Sequence, residues 1–284
     1  MGRWEGPRDL LVATGEDWDR RVFRLQVLAE AGARLRFADT WAKAEPRSPH
    51  ALALLANVQA LRAMIVGCGG SGRTLMEEAW ATCRTALKVW PQDVAPLVVM
   101  LALLRTHAPN RTTLGWVWKE IKQRDPWNRE AHHEVVTFLF SRNHGQQGEA
   151  AWWADEQAST APQGLPIAVL PLVVLAEAHR SRQELNPRTY GLTVHPWVDC
   201  PQIDPVLERW WRYRAVHPHA CFADDANYLA HALSFANRHS EALEVFDAIG
   251  PCATEAPWSY CGPAHDLFLR HRAWAYSPPR RRRP

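Results

Sequence analysis

Apolar residues recur at three- and four-residue spacings along most of the chain, and proline repeatedly interrupts them. Five of these interruptions are alike. Ala38 and Trp41 precede Pro46, Cys83 and Ala86 precede Pro91, and Trp118 and Ile121 precede Pro126. Ala154 and Gln157 precede Pro162, and Trp210 and Tyr213 precede Pro218. In every case the two residues stand eight and five positions ahead of the proline. Together with Ala79, Leu114, Ala150 and Val206 twelve positions ahead, they fall on one helical face. The helix must stop before proline, whose ring removes a backbone donor and disfavours a helical residue ahead of it. The pattern therefore predicts an all-α chain of helices ended by prolines, each with a stripe of small or flat residues against which a neighbour packs.

The steps between these prolines are 45, 35, 36 and 56 residues. A period near 35 fits a helix–turn–helix repeat, and the long steps carry insertions. Gly67-Cys68-Gly69-Gly70-Ser71-Gly72 reads as a loop between two helices, and Gln183 to Gln202, with its Asn-Pro, His-Pro and Cys-Pro breakers, as a longer one. The clearest unit is the last: Ala226-Asn227-Tyr228-Leu229-Ala230-His231-Ala232-Leu233, a turn around Asn237, then Glu241-Ala242-Leu243-Glu244-Val245-Phe246. It resembles the tetratricopeptide (TPR) consensus. Leu229-Ala230 stands for the Leu-Gly pair, Leu233 for the Tyr that follows, and Ala242 and Phe246 for the Ala and Phe of the second helix. The consensus proline is displaced to Pro251 or Pro257. A narrower resemblance, to uncharacterised actinobacterial TPR-like proteins of the kind common in Streptomyces, covers about residues 30 to 275. It rests on segments such as Leu165-Pro166-Ile167-Ala168-Val169-Leu170-Pro171-Leu172 and Ile249-Gly250-Pro251.

The resemblance implies a right-handed α-solenoid of five to six irregular repeats, in one domain over residues 1–277 with a disordered Arg-rich tail at 278–284. It also implies a concave groove lined by the first helix of each pair. Phased from the prolines, the groove residues with side chains able to recognise a ligand are Asn57, Arg105, Glu130, His133, Thr137 and Phe140, then Asp224, Asn227, His231 and Phe235. Small or apolar positions such as Ala60, Val98, Ala102, Val169 and Val173 lie between them. Apolar walls with a few polar groups suit a peptide, a helix or a small molecule.

Charge changes this picture little. The formal net charge is +3, and Arg280 to Arg283 supply four positive charges, so the remainder sums to −1. A basic tip on a neutral body is not the basic face that nucleic acid requires, and nucleic acid is not an expected partner. No run of eighteen apolar residues is present and the first twenty residues lack an apolar segment, so neither a membrane partner nor a secretory leader is expected. The expected location is the cytoplasm. Fifteen Trp is several-fold above ordinary usage, and packing between helices accounts for it most simply. The six Cys form no C-x-x-C pair and read as free thiols.

Motifs for chemistry are sparse. The thirteen His include the adjacent pair His132-His133, but no H-E-x-x-H. The Gly67–Gly72 stretch lacks the Gly-Lys-Ser/Thr ending of a phosphate loop, and no G-x-S-x-G elbow occurs. No metal or other cofactor is expected, and no residue can be assigned a catalytic role. Two functions remain. One is an interaction or scaffold module that holds a peptide or helix in the groove. The other is an enzyme or small-molecule binder of specialised metabolism with a His- and Trp-lined cavity.

Overall fold

The structure is a computed structural model that describes residues 4–67, 69–106, 110–140, 148–185 and 196–277. Cys68, His144, the middle of the long insertion and the Arg tail lie outside the described residues. Among the described residues there are fourteen α-helices and no strand, so the chain is all-α. It packs as two compact units, Met1–Gly145 and Gln146–Pro284. The first contains α1 (Glu5–Thr14), α2 (Trp18–Arg34), α3 (Phe37–Ala44), α4 (Pro49–Val66), α5 (Gly70–Val89), α6 (Ala95–Thr106), α7 (Arg111–Arg124) and α8 (Arg129–Phe140). The second contains α9 (Glu149–Thr160), α10 (Leu170–Leu185), α11 (Ile203–Arg209), α12 (Phe222–Phe235), α13 (His239–Ile249) and α14 (Ala264–Tyr276).

Proline sets the helix ends as its chemistry requires. The helices α3, α5, α7 and α9 finish at Ala44, Val89, Arg124 and Thr160, each two residues before Pro46, Pro91, Pro126 or Pro162. Three of these prolines are followed, two residues on, by the side chain that starts the next helix. Ser48 accepts from the Ala51 amide at 3.4 Å. Asp93 accepts from Ala95 at 3.0 Å, and Asn128 from Ala131 at 3.0 Å. Stop and start are thus written into one short turn, the proline ending α3, α5 or α7 and the polar side chain satisfying the first free amides of α4, α6 or α8.

The fifth proline behaves differently. The helix expected to run toward Pro218 ends at Arg209 and gives way to a 3-10 turn over Trp211–Tyr213. Adjacent residues on an α-helix point about 100° apart. Trp210 and Trp211 are nonetheless both buried, at 0% and 4% exposure, and the tighter turn brings both indoles inside.

In the first unit α4 and α6 are apolar on nearly every face and are covered by their neighbours. Helix α4 packs against α2, α3, α5 and α6, and α6 also against α7 and α8. By length and composition α4 could cross a membrane, with eighteen residues at a mean hydropathy of 1.3. Here Ala51, Ala53, Leu54, Ala56 and Val58 are fully buried in the unit's core. Alanine at these positions lets α2 and α5 approach closely. At Gly32 of α2 an added Cβ would lie 2.6 Å from Cγ2 of Val58, itself fully buried. We therefore expect Gly32→Ala to destabilise the unit by about 1–3 kcal/mol through overpacking. Denaturant unfolding checks this, and an unchanged midpoint would show that α2 and α4 separate freely.

The second unit is built on α12, which is buried without interruption from Asp225 to Ser234. Around it lie Trp197, Trp210, Trp258, Phe246 and Phe268, all with 0% exposure. The pair α12 and α13 joins through Asn237, whose backbone has φ of 59°, a left-handed position that Asn tolerates better than most residues.

Candidate functional site

A cleft of about 290 Å³ opens in the first unit where α2, α4, α6 and α8 meet. These helices pack in sequence, α2 on α4, α4 on α6 and α6 on α8, and α2 also reaches α8. The floor is small and apolar, with Ala29 and Ala60 nearly buried and Val98 and Val99 each 5% exposed. Polar groups come from each helix in turn: Gln26 and Glu30 from α2, Asn57 from α4, Arg105 from α6 and Glu134 from α8. Arg105 occupies the last turn of α6, where the helix dipole favours a cation. Its Nε donates to Oε2 of Glu134 at 3.0 Å, with side-chain exposures of 30% and 14%. Asn57 donates from Nδ2 to the Ala53 carbonyl at 2.9 Å, which fixes the amide against its own helix.

The charge balance of the cleft is uneven. Two carboxylates, Glu30 and Glu134, face one guanidinium, and that guanidinium is already engaged. Burial raises the Glu134 carboxyl to about 7. Arg105 opposes the rise, and the Glu130 carboxylate one turn earlier adds to it. A partly buried acid in a cleft, still short of positive charge, is the type of group on which binding sites are built.

A larger depression of about 570 Å³ lies between α5, α6 and α7, floored by Trp80, Leu103 and Leu104. It is open, and its charged residues Glu77 and Arg84 are exposed. The smaller cleft is the stronger candidate, because its polar groups are partly desolvated and converge from four helices.

Of the residues expected in a groove, Asn57 and Arg105 line this cleft, with Ala60, Val98 and Ala102 beside them. The other α8 residues do not line it. Glu130 pairs with Arg129 at 3.0 Å. Thr137 donates to the His133 carbonyl at 2.8 Å. His133 is so desolvated, beside Arg129, that its imidazole is held well below the usual range. Phe140 is half-buried at the end of α8.

The remaining four residues belong to α12 of the second unit. Asp224 and Phe235 are half-buried, whereas Asn227 and His231 are buried at 0% and 1% exposure. Asn227 donates to the carbonyls of Ala223 and Cys252 at 2.7 and 2.9 Å, and accepts from Nε1 of Trp258 at 2.7 Å. The first bond ties the amide to its own helix, and the other two hold α12 to the segment before α14. His231 lies edge-on to Trp197 and Trp258, at 5.7 and 5.0 Å between ring centres, with its Nε2 3.6 Å from Sγ of Cys261.

Sequence reasoning missed Glu134, Gln26 and Glu30. The first was within reach, since Glu130 and Glu134 are one turn apart and a one-residue change of phase selects the second. The other two required knowing that α2 lines the cleft, and the only signal was the i, i+3, i+4 spacing of Gln26, Ala29 and Glu30. No three His, Cys, Asp or Glu side chains converge as a metal site among the described residues. The described cysteines are free thiols, and burial raises that of Cys261 to about 11, far from a reactive thiolate. Compared with known proteins, the chain matches no family model and no curated protein.

Proposed function

We propose that the chain is a TPR-like interaction module of the cytoplasm, and that the cleft of its N-terminal unit holds a peptide or helical segment of a partner protein. The observation that carries this reading is the row of four helices that line the cleft. Helices α2, α4 and α6 place three, four and four residues on one cleft and α8 adds Glu134, with apolar small residues on the floor and polar groups at the edges. Helix–turn–helix repeats produce such a row, because each pair adds one inner helix. The recurring turn of proline followed by a capping side chain before α4, α6 and α8 supports the same reading.

Panning a random octapeptide display library against the immobilised full chain tests it. Enriched peptides should share a consensus and bind at least tenfold more weakly to Ala102→Trp and to Asn57→Trp, which fill the cleft from α6 and from α4. Enrichment indifferent to both substitutions would place binding elsewhere and sink the proposal.

A further inference from the structure

We propose that the cleft between α2, α4, α6 and α8 recognises a basic side chain, a lysine or arginine flanked by apolar residues in the bound peptide, with its cation received by Glu134 and Glu30. This deepens the proposed function and rests on it. The argument is one of charge complementarity. The lining carries two carboxylates and one guanidinium. Arg105 spends its Nε on one oxygen of Glu134. Glu30, on the exposed rim of α2, makes no ion pair among the described residues. A ligand carboxylate would meet two like charges and have to pull Arg105 from a partly buried partner. A ligand cation meets an unpaired carboxylate and a second one that a single guanidinium does not fully satisfy. The small floor residues Ala29, Ala60 and Ala102 leave room for the methylene stem of such a side chain, which buries readily while its charged head stays at the polar edge.

The titration of Glu134 gives this proposal a second readout. The groups near it are Arg105 on α6, Glu130, Arg129 and His133 on α8, and Glu30 on α2, while α4 presents only the neutral Asn57. His133 is held well below neutral and stays uncharged there. With the Glu134 carboxyl at about 7, the free cleft is largely protonated at pH 6 and largely ionised at pH 8. A cation binds the ionised form, so its affinity rises with pH across this window, by roughly tenfold at most.

The display selection is the experiment. The peptides whose binding depends on Ala102 should carry Lys or Arg at one fixed position with apolar neighbours. A synthetic peptide of that consensus should lose at least tenfold in affinity when its basic residue becomes Gln, and comparably on Glu134→Gln. It should also bind more tightly at pH 8 than at pH 6, with that dependence gone in Glu134→Gln. A cleft-dependent consensus with an acidic or no charged residue overturns the basic-ligand assignment and leaves the binding module standing. A selection with no cleft-dependent peptide overturns both.

Discussion

Asp93→Ala is expected to cost the N-terminal unit about 3–5 kcal/mol, because it strands a buried arginine. Arg21 and Asp93 are 0% and 1% exposed, and they meet through three contacts: Nε to both carboxylate oxygens at 3.1 Å, and Nη2 to Oδ2 at 2.7 Å. The remaining arm of the guanidinium, Nη1, lies 2.9 Å from Nδ1 of His50. Arginine can only donate, so Nδ1 is the acceptor and His50 is neutral. The indole of Trp90 covers the guanidinium, 4.8 Å from ring centre to Cζ. One ion pair thus joins α2, the start of α4 and the turn that caps α6. Asp93→Ala also removes the acceptor for the Ala95 amide, a loss of the size of a helix cap.

Arg21→Met alone should cost less than Asp93→Ala, since it leaves a carboxylate that can still cap α6. Adding it to Asp93→Ala should recover part of the loss, because no buried charge is then left unpaired. Denaturant unfolding read by hydrogen exchange in α2, α4 and α6 separates this unit from the other. A loss below about 1 kcal/mol for Asp93→Ala would show the pair to be replaceable. The same network sets an acid limit. Burial first, and then the Arg21 charge, lower the His50 pKa below 6.5. Between that value and 6.5 the unfolded chain binds the extra proton, so stability is complete above pH 6.5 and is lost as pH falls through the window.

How far the sequence spoke for itself differs between the two units for a physical reason. In the first, the turn before α4, α6 and α8 is a local device. Proline stops one helix and a Ser, Asp or Asn two residues later starts the next, so helix ends followed from short-range chemistry. The phase of α4 and α6 followed with them, which is why Asn57 and Arg105, expected on one surface, line the same cleft. On α8 it is Glu134, the neighbour of the expected His133, that lines the cleft. In the second unit the decisive forces are long-range. Nothing local to Trp210-Trp211 says that both indoles will be buried and the helix broken. Nor does anything local to Asn227 or His231 say that an indole from beyond α13 will reach back to them. Polar residues on a helix repeating every three or four positions look the same in a sequence whether they face a groove or a satisfied interior.

Trp258→Ala should be the most damaging single change in the C-terminal unit, at about 3–5 kcal/mol for the lost volume alone. The indole is wholly buried and packs edge-on to Phe268 at 5.7 Å and stacked on Phe246 at 6.1 Å, so α13 and α14 both lean on it. Its Nε1 is also the donor that Asn227 accepts. Three substitutions separate packing from hydrogen bonding. Trp258→Phe keeps most of the aromatic contact and removes the donor, so it should cost about 1–3 kcal/mol, the penalty for an unsatisfied buried carbonyl oxygen together with the smaller ring. Asn227→Leu keeps volume and strands both the Trp258 N–H and the Cys252 carbonyl, so it should cost at least as much as Trp258→Phe. The double change Asn227→Leu with Trp258→Phe leaves fewer orphaned groups than Asn227→Leu alone and should cost less than the sum of the two. If Asn227→Leu proved neutral while Trp258→Ala cost several kcal/mol, the indole would act through shape alone. Asn227 would then be free of the structural duty that its hydrogen bonds assign it.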